Sequence, residues 1–127
     1  MSGLGFSLHS DIVAPYLVHY GTEAQKRHWL PRMASGEVIA AIGMTEPGAG
    51  SDLAAIRTRA EPRAGGWRIK GQKIFISNGQ IADLLLLAAK TDPSRGAKGV
   101  SLLLVDTTLK GFGRGKRLDK LGMHAQD

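Results

Sequence analysis

Short apolar runs bounded by turn-forming residues dominate the chain after Glu37. The clearest are residues 38–44, 84–89 and 100–105, which Asp, Pro and Gly flank without a long helical pattern between them. Runs of this length, joined by turn residues, are typical of strands. We therefore expect a mainly β fold, an antiparallel barrel or sandwich, rather than a doubly wound α/β architecture.

Two further segments fit strands. Residues 57–63 alternate between polar and apolar side chains, and the sequence Ala-Gly-Gly follows before residues 67–71. This pattern predicts a hairpin with its turn at Gly65 and Gly66. The segment KIFIS, residues 73–77, also alternates, which predicts another strand because successive side chains point to opposite faces.

The first third of the chain has a helical pattern instead. Gly21 is expected to end a first helix, and Pro15 inside it should kink or divide that helix. Apolar residues at helical spacing carry the pattern: Ile12, Val13, Tyr16, Leu17 and Tyr20.

A second helix is predicted from a capping box, in which Thr22 is the N-cap and Gln25 lies three residues later. It should run through Trp29. Pro31 is expected to open a short further turn that Gly36 closes.

Composition narrows the class of protein. A chain of 127 residues with 43% apolar residues suits one modest globular core, and its longest apolar run is too short to span a membrane. The start has no secretory signal pattern. Cysteine is absent, which argues against disulfides and thiolate metal sites and suits a reducing cytoplasm. The four histidines lack metal-ligand spacing, so we expect no metal site.

The net charge of +6 is densest in residues 110–120. One interpretation is a nucleic-acid patch, since phosphate contacts need clustered cations. The alternative is a solvated loop, or a face that meets a phosphorylated small molecule or another subunit. Only Phe112 could stack on a base there, and no nucleic-acid module surrounds it. We therefore expect no nucleic-acid partner.

The segment MTEPGAGSD, residues 44–52, follows the first predicted strand. Gly48 and Gly50 let the backbone bend and let a ligand approach closely. Exposed N–H groups and the Ser51 hydroxyl would suit an anion, and Asp52 can cap a short helical turn. The loop therefore suits a phosphate or the polar edge of a flat ring, although a plain strand-to-turn connection fits equally well. It lacks the Gly-Lys-Ser/Thr of a Walker loop.

Several blocks, in order and at similar spacing, resemble the acyl-CoA dehydrogenase family. The central block is AIGMTEPGAGSDL, residues 41–53. YGTEAQKRHWLPRMASGE precedes it, and GWRIKGQKIFISNG, GVSLLLVD and KLGMHAQD follow it. The resemblance therefore covers nearly the whole chain. FISNG and HAQD look most like the long-chain branch.

The resemblance implies an FAD enzyme that oxidises the α,β bond of an acyl-CoA thioester to the trans-2-enoyl-CoA. Thr45 would hydrogen-bond the polar edge of the flavin, and Ser51 would also reach the CoA part of the substrate. Phe75 and Ser77 stand where the family often has Trp and Thr. The residues that the resemblance assigns to the cofactor are Ile42, Gly43, Met44, Thr45, Glu46, Pro47, Gly48, Ala49, Gly50, Ser51, Phe75, Ile76 and Ser77.

The resemblance also implies a domain plan. Residues 1–36 would end an N-terminal helical domain, and residues 37–127 would form a truncated, flavin-supporting middle domain. Glu46 belongs to the loop framework, and the family's catalytic base comes from a C-terminal helical domain, so no catalytic residue is expected here. An electron-transfer flavoprotein would accept the electrons, and a homo-oligomer is expected.

Other interpretations stay open. An acyl-CoA oxidase or a flavin monooxygenase shares the fold and differs in how oxygen reaches the flavin. A remnant that only binds a flavin or a partner is also compatible with the sequence. Without the resemblance, the position of Phe75 on an alternating strand favours a core residue over a cofactor wall.

Overall fold

The computed structural model describes residues 3–123, and the HAQD block with His124 lies outside them. The helices are α1 (Gly3–Ser7), a π-helical segment (Leu8–Val13), α2 (Ala14–Tyr20) and α3 (Glu23–Ala34). The strands are β1 (Ala40–Gly43), β2 (Arg59–Arg63), β3 (Gly66–Lys70), β4 (Leu84–Lys90) and β5 (Val100–Asp106). Short 3₁₀ turns cover Leu53–Ala55 and Pro93–Gly99.

Local sequence signals explain the helices. The capping box at Thr22 and Gln25 is confirmed, with hydrogen bonds of 2.8 and 3.2 Å between their backbone and side-chain atoms. Pro15 lies in the first turn of α2, directly after the π-helical segment, as expected of a residue that divides a helix. Gly21 ends α2 where a Cβ would press on the Leu17 carbonyl.

The predicted role of Pro31 is wrong. It lies inside α3, which continues to Ala34, and opens no separate turn. Pro31 and Arg27 are both exposed, so the proline, which cannot donate a hydrogen bond to the Arg27 carbonyl, lies on the solvent side of α3. Gly36, with φ of +78°, follows the end of the helix as predicted.

The sheet is mixed and open, so the purely antiparallel expectation is wrong. β4 lies at its centre, pairing in parallel with β1 and antiparallel with β5. β2 continues beside the end of β4 in parallel, and β3 pairs antiparallel with β2. β1 and β2 each pair in parallel with β4 because long connections, not hairpin turns, join them to it along the chain.

The hairpin is confirmed, but its turn lies one residue earlier than predicted. Arg63 pairs with Gly66, so Ala64 and Gly65 form the loop. Gly65 has φ of +79°, a conformation that glycine adopts at little cost. At the other end of the hairpin, Gly71 packs so closely on Thr58 that a side chain there would collide with it.

The strand predicted at residues 73–77 is absent: residues 71–83 carry no strand. Phe75 and Asn78 both have positive φ values, 55° and 64°, which bend the backbone out of an extended conformation. The alternating apolar residues of segment 73–77 therefore belong to a bend, in which Ile76 packs against the core.

The main core lies between the helices and the sheet. Val13, Leu17 and Met33 from the helices pack on Val38, Ala40, Leu84 and Leu86. His9 joins the same parts: its Nδ1 accepts from the Ala40 N–H at 2.9 Å, and its Nε2 lies 3.2 Å from the Met33 carbonyl. Across residues 3–123, the helices are too short or too polar to cross a bilayer.

Candidate functional site

The loop after β1 folds into a tight turn. Glu46 and Ala49 exchange backbone hydrogen bonds of 2.9 and 3.0 Å. Asp52 caps the following 3₁₀ turn through a 3.0 Å bond from the Ala54 N–H, as predicted. Gly48 and Gly50 have no positive φ, and an added Cβ would meet open space. The bend therefore comes from the Glu46–Ala49 pairing and does not require these glycines.

Glu46 organises the base of this loop. Its carboxylate accepts from the Arg57 N–H at 2.6 Å, the Thr58 N–H at 3.0 Å and the Lys73 Nζ at 2.8 Å. Its side chain is only 6% exposed and that of Lys73 only 8%. Burial alone would raise the pKa of Glu46, but the hydrogen bonds from Lys73, Thr58 and Arg57 outweigh it and lower the pKa to about 2. Such a carboxylate stays ionised and is a poor proton acceptor.

The second predicted cofactor segment lies directly beside the loop. The Ile74 N–H donates to the Thr45 carbonyl at 3.0 Å. Lys73 also donates to the Met44 carbonyl at 2.9 Å. Residues 44–46 and 73–74 are thus brought together although they are nearly thirty positions apart in sequence. Sequence reasoning placed both segments at one site, and the structure makes them neighbours.

The side chains of the predicted site differ in exposure. Ile42 packs on the helix–sheet core, Gly43 on Leu85, and Met44 on the small cluster that includes Ile56. In contrast, Ser51 is exposed, and Phe75 is 67% exposed, so the alternative of a core role for Phe75 is wrong. Within residues 3–123 the Thr45 hydroxyl has no hydrogen-bond partner.

Two open grooves flank these segments. The first, of about 710 Å³, is lined by Glu46, Pro47, Gly48 and the outer face of the hairpin. The second, of about 990 Å³, is lined by Ile74, Phe75 and Ile76 together with the apolar faces of β4 and β5. Thr58, Gly71 and Gln72 line both. Thr45 and Ser51 are not among the residues that line either groove.

Sequence reasoning missed two residues that shape the site. Lys73 is the cation that holds Glu46, but the apparent strand pattern of residues 73–77 concealed it. Asn78 is buried and donates from Nδ2 to the carbonyls of Gly5 and Ala40 at 3.1 and 3.2 Å. The Asn-Gly pair at residues 78–79 was an available signal, because Asn and Gly favour positive φ.

Other predicted features stay outside this arrangement. In the described part of the chain, no group of three or more His, Cys, Asp or Glu is placed to hold a metal ion. The basic segment 110–120 is largely exposed and has no helix or strand. Arg114 anchors it by donating to the Ala82 carbonyl at 2.7 Å and stacking over Phe112.

Comparison with protein families matches both parts of the chain. Residues 1–37 match the model described as "Acyl-CoA dehydrogenase, N-terminal domain", and residues 41–127 match "Acyl-CoA dehydrogenase, middle domain". The mitochondrial long-chain specific acyl-CoA dehydrogenase of Rattus norvegicus is 50% identical over 99% of this chain. The chain spans 30% of that relative's length.

Solved structures agree in fold. An acyl-CoA dehydrogenase from Geobacillus kaustophilus superposes with a TM-score of 0.96 at 53% identity, over 99% of this chain and 34% of that one. The structure titled "PigA with FAD and proline" superposes with a TM-score of 0.87 at 35% identity, over 91% of this chain and 30% of that one. The mixed sheet with its preceding helices is therefore shared with proteins of known structure.

Proposed function

This chain belongs to the acyl-CoA dehydrogenase family, and on that premise we propose that the whole protein is an FAD-dependent enzyme. It oxidises the α,β bond of a long-chain acyl-CoA thioester to the trans-2-enoyl-CoA. The identity of 50% to a long-chain specific enzyme supports the substrate class. The PigA complex, whose title names FAD, supports the cofactor.

One observation carries the role of this segment: a hydrogen bond joins Thr45, in the first predicted cofactor segment, to Ile74, the residue directly before the second. Beside that bond the chain offers a free hydroxyl on Thr45 and an exposed aromatic ring on Phe75. A flat heteroaromatic ring with one polar edge fits a hydroxyl donor and an apolar wall. The residues present therefore fit a flavin.

The chain's own residues then have distinct tasks. Thr45 donates to the polar edge of the ring, Phe75 covers the ring and excludes water, and Ser51 reaches the CoA part of the substrate. Bound FAD supplies the acceptor for the hydride that leaves the β carbon. We assign no catalytic residue to this segment, because Glu46 already accepts three hydrogen bonds.

Several wider features belong to the same proposal. Residues 1–36 end a helical domain, and residues 37–127 form the flavin-supporting domain, whose sheet becomes part of a barrel in the whole protein. An electron-transfer flavoprotein accepts the electrons; a structural neighbour whose title names one superposes with a TM-score of 0.94. Homo-oligomerisation and a cytoplasmic location are the remaining parts of the proposal.

The test is a titration of FAD, and separately of palmitoyl-CoA, into the purified chain. We expect weak FAD binding, detected by flavin fluorescence anisotropy, and no turnover of palmitoyl-CoA with an artificial electron acceptor. Thr45→Ala should weaken FAD binding, and Ser51→Ala should weaken palmitoyl-CoA binding by about 1–3 kcal/mol.

Ser10→Ala is the matched control, because Ser10 is also exposed and lies on the helical part of the chain. If Thr45→Ala and Ser51→Ala bind both ligands as tightly as the Ser10→Ala control, the assignment of this site is wrong. Sustained turnover by the chain alone would contradict the absence of a catalytic base here.

A further inference from the structure

Thr45 is anchored on both sides by one short segment. The Ile74 N–H donates to the Thr45 carbonyl at 3.0 Å, and the Lys73 ammonium donates to the carbonyl of the preceding residue, Met44, at 2.9 Å. The Thr45 hydroxyl itself has no hydrogen-bond partner within residues 3–123. Its position therefore depends on the backbone on either side of the Thr45 Cα, and residues 73 and 74 hold both sides.

Lys73 has a second partner in the same loop. Its ammonium also donates to Glu46 Oε1 at 2.8 Å, and its side chain is only 8% exposed. An ammonium carries three donors, so one cation serves the carboxylate and the neutral carbonyl at once. The carboxylate contact balances the buried charge. The Met44 contact does not, and it acts directly on the backbone next to Thr45.

The contact with Met44 fixes a peptide plane. A peptide unit is planar and moves as one body, so holding the Met44 carbonyl oxygen also holds the bond that enters Thr45. Ile74 holds the next peptide unit through the Thr45 carbonyl. These two planes meet at the Thr45 Cα and decide where its Cβ and hydroxyl lie.

We infer that Lys73 is a positioning residue for the proposed cofactor site, which places the Thr45 hydroxyl through the Met44 carbonyl separately from its part in stabilising Glu46. The inference rests on the proposed function, in which that hydroxyl donates to the flavin ring. Arginine does not replace both contacts, because its planar fork differs from a compact ammonium on a four-carbon stem. Loss of the Lys73 ammonium should weaken FAD binding even where stability is restored.

The first experiment compares variants of different stability. Lys73→Met alone leaves the Glu46 carboxylate buried without its cation, so it should lose both stability and FAD affinity. The double variant Glu46→Gln with Lys73→Met removes the buried charge and should melt close to the unmodified chain. We expect its Kd for FAD, measured by flavin fluorescence anisotropy, to stay raised about tenfold. An affinity equal to that of the unmodified chain would overturn the inference.

Lys98→Met is the matched control, because Lys98 is exposed in the Pro93–Gly99 segment. It makes the same change of side chain and charge away from the loop. Its Kd for FAD should stay within about twofold of that of the unmodified chain, since solvent and salt screen exposed charges. A loss as large as that of the double variant would show that net charge, not position, controls binding, and would refute the role of Lys73.

A chemical rescue tests the ammonium itself. The chain has no cysteine, so Lys73→Cys introduces a single thiol. In urea, its thiolate displaces bromide from 2-bromoethylamine and forms a C–S bond, which restores an ammonium on a side chain of nearly lysine length. After refolding, FAD affinity should recover toward that of the unmodified chain. Alkylation with iodoethane adds no charge and should leave binding weak. Equal recovery with both reagents, or with neither, would contradict the inference.

Amide hydrogen exchange without FAD distinguishes failure of this inference from failure of the proposed function. In the double variant the Ile74 amide should exchange at least about tenfold faster, because its acceptor is less firmly held, while the Leu86 amide inside β4 should be unchanged. No FAD binding by the unmodified chain would refute the proposed function, and exchange at Ile74 would then decide the inference. Unchanged exchange at Ile74 would overturn it in either case.

Discussion

The loop at residues 44–52 and the bend at residues 73–78 are proposed to form one cofactor face, yet different forces hold them. The loop rests on a buried carboxylate with three hydrogen-bond donors, one of them the Lys73 ammonium. The bend relies on positive φ values at Phe75 and Asn78 and on the buried Asn78 amide. Buried charge thus fixes the first segment, while backbone conformation and a neutral hydrogen bond fix the second. The first should be more sensitive to single substitutions and to pH.

Removing the carboxylate should have the largest effect on stability. Glu46→Ala leaves the Lys73 ammonium buried without its partner, so we expect a loss of about 3–5 kcal/mol in urea unfolding. Glu61→Ala is the control, because its ion pair with Arg63 is about half exposed and should contribute about 0–1 kcal/mol. The double variant Glu46→Gln with Lys73→Met should recover most of the loss. Similar losses for Glu46→Ala and Glu61→Ala would remove the distinction between the two segments.

Acid should also destabilise the loop, as removal of the Glu46 carboxylate does. The pKa of Glu46 is lowered from 4.5 to about 2 in the folded chain, so its ionisation stabilises the fold above pH 4.5. That contribution is lost as the pH falls from about 4.5 to about 2. Each unit of pKa difference is worth about 1.4 kcal/mol, so about 3 kcal/mol of unfolding free energy should disappear. Unfolding free energies measured across this range should be flatter in Glu46→Gln, and an unchanged slope would contradict the assignment.

Substitutions in the bend should cost less stability than Glu46→Ala. Asn78→Ala removes a buried donor from the Gly5 and Ala40 carbonyls and places alanine at positive φ, with an expected cost of about 1–3 kcal/mol. Asn78→Gly keeps the favourable φ but still loses both bonds. It should therefore be more stable than Asn78→Ala by up to about 1 kcal/mol. Equal melting temperatures for the two variants would show that backbone conformation contributes nothing to this bend.

Phe75 should have the smallest effect on stability. Its ring is exposed and its φ is positive, so Phe75→Gly should change the unfolding free energy by no more than about 0.5 kcal/mol. The same variant should weaken FAD binding in the anisotropy assay, because the ring wall is gone. A large loss of stability with unchanged FAD binding would reassign Phe75 to a structural role.

Local signals predicted much of the fold. The capping box at Thr22 and Gln25 depends on atoms three residues apart, so the sequence alone specifies it. β4 and β5 were predictable because short apolar runs bounded by turn residues are typical of strands, although only β4 is buried along its length and β5 is mostly half-buried. Pro31 was misjudged because its tolerance inside α3 depends on an exposed position, which the sequence does not display.

The apparent strand at residues 73–77 shows why the rest of the fold could not be predicted from the sequence. Its alternation was real, but among residues 3–123 no strand pairs with it, and a strand without hydrogen-bond partners is not stable. Instead Lys73 turns to Glu46, 27 residues earlier in the chain, and Ile74 bonds to Thr45. These long-range contacts overrode the local pattern.

The sequence by itself determined most of the helices and strands, the capping box and the hairpin, because capping, burial and turn preferences act over a few residues. Only the tertiary structure decided that β1 and β4 run parallel, that Glu46 is a buried structural anion, and that Lys73 holds the Met44 carbonyl. The physical reason is the same in each case. Strand pairing and ion pairing depend on distances between residues far apart in the chain, and folding sets those distances.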